Sequence, residues 1–212
     1  MSIAKRETIS RLVASTYTSA PTLSVPKREF KNEFNNGEYS PIFGEITCQG
    51  GTDLLDHALS RLNNATLVDL GSGIGRFCLH SALTHCDFLD AIHGVELSPS
   101  RHDAACDALD ELRLKIDKTH LPCLDKIKFH NMNLLEFKLP STPLIIYCAS
   151  LTFSSTVISA IQDRITRSAP KKSLLYSCRE FESDENLVHV AEINLETSWA
   201  PQAEFHVYET RS

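Results

Sequence analysis

No run of the sequence approaches the roughly 20 consecutive apolar residues that a membrane-spanning helix needs. Residues 1–25 also lack the apolar centre of a secretory signal, so no membrane partner is expected. Cysteine pairs at metal-binding spacing are missing too: the seven cysteines (48, 78, 86, 106, 123, 148 and 178) contain no C-x-x-C. Their odd number and wide scatter argue against a secreted disulfide framework. Reduced thiols, used as small apolar residues in a cytoplasmic or nuclear compartment, are the expectation. The nine histidines show no H-E-x-x-H spacing, and no metal is expected. Nor is there an excess of basic residues. With 21 Lys and Arg against 27 Asp and Glu the net charge is −6, which argues against a general nucleic-acid binder.

What remains is the composition of a globular protein. The 212 residues suit one domain with a large core, and 42% hydrophobic with 23% charged residues rules out a disordered or collagen-like chain. The charge is uneven, however. Residues 1–31 hold Lys5, Arg6, Arg11, Lys27, Arg28 and Lys31 against Glu7 and Glu29, a local +4 that leaves −10 on residues 32–212. Ser and Thr crowd residues 8–24, and Pro21 and Pro26 follow. This reads as a basic N-terminal arm over 1–31, mobile or a short helix, ahead of a folded domain over 32–212. Nucleic-acid contact is expected to be weak at most and confined to the arm.

Beyond residue 52 helical and strand patterns alternate. Leu54, Leu55, Ala58, Leu59 and Leu62 share one face of a helix over 52–62. Strands at 65–70 and 91–96 flank a helix over 73–85. Ser98-Pro99 supplies an N-cap and a first-turn proline for a helix running to about residue 116. Further strands at 126–130, 144–148 and 173–178 enclose a helix marked by Val157, Ile158, Ile161 and Ile165. Two strand-like runs, 187–195 and 204–210, have no helix between them and should pair as a hairpin. The expected fold class is α/β: a doubly wound, mostly parallel seven-stranded sheet of Rossmann-like type with a C-terminal antiparallel hairpin.

Glycine is scarce, and three of the eight fall at Gly71, Gly73 and Gly75, between a strand and a helix. There they allow a tight turn and close approach to a ligand at the carboxyl ends of a parallel sheet. The ligand class follows from the neighbours. A dinucleotide fingerprint needs G-x-G-x-x-G, but position 76 is Arg. Asp69 precedes the loop, and Glu96 ends the next strand 21 residues past Gly75, where an acid can take both ribose hydroxyls. An acid ahead of the loop disfavours pyrophosphate and suits a ligand with an amino group or a sulfonium. S-adenosyl-L-methionine carries both.

The chain here resembles the disruptor-of-telomeric-silencing family, the non-SET protein-lysine methyltransferases within class I. Ile42-Phe43-Gly44-Glu45, with Thr52-Asp53-Leu54 downstream, is similar to the family's Y-G-E loop and following helix. Val68 to Gly75 matches its V-D-L-G-S-G-x-G run, and Ile92 to Glu96 its Y-G-V-E strand. Leu195 to Tyr208, with Ser198-Trp199, resembles its closing hairpin. Where the family has N-N-F-x-F after the fourth strand, this chain has Cys148-Ala149-Ser150-Leu151-Thr152-Phe153. Ser150 replaces the second Asn, Phe153 matches the final Phe, and Asn133 stands for the acid that meets adenine. Trp199 and Phe205 correspond to the aromatic wall of the lysine channel. The long basic extension that grips nucleosomes has no counterpart.

These readings give a candidate set. Cofactor contacts fall to Glu45, Thr47, Asp69, Gly71, Ser72, Gly73, Gly75, Glu96, Leu97 and Asn133, and catalytic contacts to Ser150 and Phe153. Glu45 is expected to close over the amino-acid end of the cofactor. The resemblance implies methyl transfer to a lysine of a basic protein such as a histone. Transfer to another protein residue or a small molecule, and a non-catalytic cofactor-binding adapter, are the alternatives.

Overall fold

The computed structural model describes residues 3–17, 25–34, 39, 41–42 and 44–211. Phe43, the side chains of Lys5 and Arg6, and residues 18–24 of the Ser/Thr-rich run lie outside the described residues. The chain opens with helices α1 (Ile3–Ser15) and α2 (Lys27–Glu33). It continues through α3 (Cys48–Leu59), β1 (Ala65–Leu70), α4 (Arg76–Thr84), β2 (Leu89–Glu96) and α5 (Pro99–Lys115). The second half holds α6 (Leu121–Leu124), β3 (Ile127–Asn131), β4 (Leu144–Cys148), α7 (Ser155–Ser168), β5 (Leu174–Ser177), β6 (Leu187–Leu195) and β7 (Ala203–Thr210). Among the described residues, no helix is long and apolar enough to cross a membrane.

The seven strands form one sheet in the order β3-β2-β1-β4-β5-β7-β6. The first five run parallel, and β7 lies antiparallel between β5 and β6. Every residue of β1, β4 and β5 is buried, as befits central strands covered on both faces. One core lies on the side of α3, α4 and α5, around Leu54, Leu67, Leu79 and Leu112. The other lies under α7, around Val68, Ile146, Ile161 and Leu175. The α/β reading and the closing hairpin hold.

Caps explain the shifted boundaries. α3 starts before residue 52 because the Thr47 hydroxyl accepts from Gly50 N at 3.1 Å. α4 starts at Arg76 because Gly71, Gly73 and Gly75 all have positive φ and cannot be helical. Ser98 caps α5 with Pro99 in its first turn, as its sequence predicts. α1 packs on α4, and Ile9, Val13 and Tyr17 are buried in the larger core. Its apolar face therefore belongs to the domain's interior.

The cysteine expectation is corrected at one pair. Cys86 and Cys123 form a disulfide with Cα atoms 5.4 Å apart, a spacing within the ordinary range for such a bond. The turn after α4 and the short α6 meet there, although 37 residues separate the two positions in sequence. Cys48, Cys78, Cys106, Cys148 and Cys178 are free thiols.

Candidate active site

At the carboxyl ends of β1, β2 and β4, where the strand order reverses, lies a cavity of about 320 Å³. Open α/β sheets bind ligands at such switch points. Its floor is the glycine loop. Gly71 N and Ser72 N both donate to Val95 O, at 2.8 and 3.0 Å, which pins the loop to β2. Left-handed backbone at Gly71 (φ 95°), Gly73 (54°) and Gly75 (80°) turns the chain into α4.

Glu96 holds the far side of the loop. Its carboxylate accepts from Gly73 N at 2.8 Å and from Ser98 N at 2.9 Å, so it ties the loop to the start of α5. Burial raises its pKa; the Ser98 and Gly73 amides and the Arg101 guanidinium oppose the rise. Each oxygen keeps capacity for another donor from the cavity.

Asp69 sits beneath the loop, 3% exposed. One oxygen takes the Cys78 thiol at 3.7 Å and the other, Oδ1, has no partner in the protein. Burial lifts this carboxyl to about 8, from an ordinary value of 3.8; the Cys78 contact works against the rise, and the Glu96 and Glu45 carboxylates add to it. An acid with a raised folded-state pKa contributes stability that is fully present below its ordinary value and is lost as pH climbs through the raised one. The unliganded parent should therefore lose more stability than Asp69→Asn between about pH 4 and about pH 8. Urea unfolding of both proteins at several pH values checks this, and identical pH slopes would contradict a protonated Asp69.

The N-terminal segment forms the roof. Glu29 of α2 accepts from the hydroxyl of Ser98, and from Ser100 N at 3.2 Å. Arg101 reaches up to donate to Pro41 O. Between these tethers Phe34 and Tyr39 face the cavity, and Tyr39 donates to Asn133 Oδ1 at 2.8 Å. The closing hairpin forms one wall. Ile46 bridges Thr197, Glu45 N donates to Ser198 Oγ at 2.9 Å, and Ser198 N donates back to Glu45 O at 2.8 Å. Trp199 lies so close to Gly44 that a Cβ there would stand 2.6 Å from its ring.

Of the residues expected from sequence, Gly71, Gly73, Glu96, Leu97 and Phe153 line the cavity. Asp69, Ser72 and Gly75 shape the loop beneath it. Asn133 stands one residue from the lining Leu134 and holds Tyr39. Four side chains are placed elsewhere. Glu45 pairs with Arg76 at 3.0 Å, and Arg76 in turn lies over the Tyr17 ring at 4.8 Å. Thr47 caps α3. Ser150 is fully buried, its hydroxyl 2.7 Å from Ser177 Oγ and accepting from Arg179 N at 3.2 Å. A helical turn over Ser150–Thr152 instead brings Leu151 and Thr152 to the cavity. Phe205 stacks on Tyr147 inside the core, so Trp199 alone of that expected aromatic pair reaches the cavity. Phe34, Tyr39 and Arg101 were not anticipated. For Phe34 and Tyr39 the only sequence signal is an aromatic residue in an otherwise polar stretch, and Arg101 carries none.

No family model matches the chain. No curated protein matches it in sequence. Solved structures do match its architecture. The rRNA methyltransferase AviRa of Streptomyces viridochromogenes aligns over 88% of this chain and 96% of its own, with 10% identity and a TM-score of 0.56. A candidate RNA methyltransferase of Pyrococcus horikoshii aligns over 99% and 100%, with 12% identity and a TM-score of 0.57. Trm5 of Methanocaldococcus jannaschii, solved in complex with adenosine, aligns over 77% of this chain and 49% of its own, with 12% identity and a TM-score of 0.51. The fold is that of the class I methyltransferases. At such low identities the likeness is one of backbone architecture.

Proposed function

We propose that this chain is an S-adenosyl-L-methionine-dependent methyltransferase whose acceptor is a lysine side chain of a basic protein such as a histone. The observation that carries the cofactor is the meeting of the left-handed glycine loop and the Glu96 carboxylate on one largely apolar cavity. Glu96 has acceptor capacity for two ribose hydroxyls beyond its bonds to Gly73 and Ser98. Leu97, Leu134 and Phe153 offer apolar surface to a purine. Below the loop Asp69 Oδ1 is left without a hydrogen-bond partner in the protein. When bound, the cofactor supplies an electrophilic methyl group on a sulfonium.

The rest is alignment, which can account for roughly 7–11 kcal/mol of such a barrier. A lysine must first lose its proton, because an ammonium has no lone pair. Ile42, Leu151 and Trp199, 71%, 51% and 38% exposed, give the cavity an apolar rim. Such a rim disfavours the charged amine by desolvation and so favours the nucleophilic form. The net charge of −6 suits a basic partner.

A second reading has an RNA base as acceptor. It is favoured by the two RNA-methyltransferase neighbours that share nearly the whole chain, and a planar base could also stack on this rim. One experiment separates the two. The purified chain is incubated with methyl-labelled cofactor and a lysate, and the products are treated with protease or ribonuclease. Label on lysine that resists ribonuclease is expected; label removed by ribonuclease and spared by protease would replace the lysine acceptor with RNA.

A further inference from the structure

Away from the cavity, the edge hairpin gathers His189, Glu192 and His206 so that one ligand atom from each lies within 4.8 Å of the others. The local backbone explains how. In a regular strand residues three apart face opposite sides. Here Val190 is a bulge: His189 pairs with Tyr208 and Ala191 with Val207, so one extra residue interrupts β6. The bulge brings His189 and Glu192 onto the same face, and Glu192 stands opposite His206 in the register. Bulges re-aim side chains in this way.

The surroundings of His206 favour an ion over a plain hydrogen bond. Its Nδ1 lies 3.9 Å from Glu192 Oε1 and its Nε2 lies 3.9 Å from Glu204 Oε1. Both distances exceed hydrogen-bond range. Two ligands about 2.0–2.1 Å from a tetrahedral ion are separated by roughly 3.3–3.4 Å, so a small closure would place an ion between Nδ1 and Glu192. Glu204 then takes the place of the carboxylate that commonly orients a metal-bound imidazole from its other nitrogen. The His189 ring, 5.8 Å from that of His206 between centroids, supplies the third donor. Two imidazoles and one carboxylate suit zinc and its transition-metal neighbours rather than magnesium or calcium.

We propose that His189, Glu192 and His206 form a binding site for one divalent transition-metal ion of the zinc class, with a water in the fourth position. The ion ties the exposed edge strand β6 to β7 across the bulge and stiffens the hairpin that carries Trp199. This site is independent of the methyltransferase reading.

The test uses the full chain, stripped of metal and titrated with zinc alone by calorimetry. One equivalent should bind. At a free zinc concentration about 100 times the dissociation constant, the melting temperature should rise by roughly 5–10 °C. His189→Ala and Glu192→Gln change exposed residues and should fold normally, yet each should weaken zinc binding at least tenfold and reduce the thermal shift. Cobalt, as a spectroscopic substitute, should give a spectrum free of the thiolate charge-transfer band, which separates this site from the free cysteines. No zinc bound, affinity in either variant equal to the parent's, or a thiolate band would each overturn the proposal.

Discussion

Replacing Glu96 with Ala should lower S-adenosyl-L-methionine affinity by about 1.5–3 kcal/mol, roughly tenfold to 150-fold, the loss expected for hydrogen bonds to a charged group. The structure adds a second consequence. Glu96 is the acceptor for Gly73 N and Ser98 N, both beside the cavity, so its loss leaves two amides without their partner. An unsatisfied buried group costs about 1–3 kcal/mol. At about 2–4 °C per kcal/mol the melting temperature should fall by several degrees while the protein stays folded. Calorimetry with the cofactor, alongside a thermal melt, measures both effects. Unchanged affinity in a folded variant would remove Glu96 from the binding site.

Gly75→Ala should give the largest loss of stability. Its φ of +80° lies in the left-handed region, which costs a residue with a Cβ about 1–2 kcal/mol. The added carbon would stand 2.5 Å from Phe129 Cζ and 2.9 Å from Ala105 Cβ. Forcing a packed site of this kind costs typically 1–3 kcal/mol more. The sum corresponds to a melting temperature lower by roughly 5–20 °C. Adding Phe129→Leu should restore the steric part and leave the backbone part. A single variant melting within about 2 °C of the parent would mean that the turn between β1 and α4 is not held as described.

These two positions were also the most legible in the sequence. Gly75 and Glu96 belong to a strand-loop-helix unit whose logic is local: glycines for the turn, an acid at the next strand end. The buried strands could be read for the same reason, since β1, β4 and β5 are short apolar runs between helical patterns. Helix starts were less legible, because a glycine in a left-handed turn and the Thr47 cap shift them by several residues.

Long-range contacts were illegible. Phe34 and Tyr39 reach the cavity in a segment that Glu29 and Arg101 tether to α5, through contacts spanning 71 and 60 positions. The Cys86–Cys123 bond depends on the turn after α4 meeting α6, which spacing alone does not reveal. The His189, Glu192 and His206 group is hidden twice over, by its split across two strands and by a bulge that reverses one face. Ser150 carries a different lesson. Its place in the resembling segment pointed to the reaction centre, but its side chain is buried with the hydroxyl against Ser177 and the Arg179 amide. A resemblance in sequence suggests a position along the chain and not the direction of the side chain.

The cavity over the glycine loop is proposed to hold S-adenosyl-L-methionine. Isothermal calorimetry of the unmodified chain with the cofactor tests it most directly. Saturable binding of one equivalent is expected. Absence of binding by a folded chain, at cofactor concentrations up to the millimolar range, would contradict it.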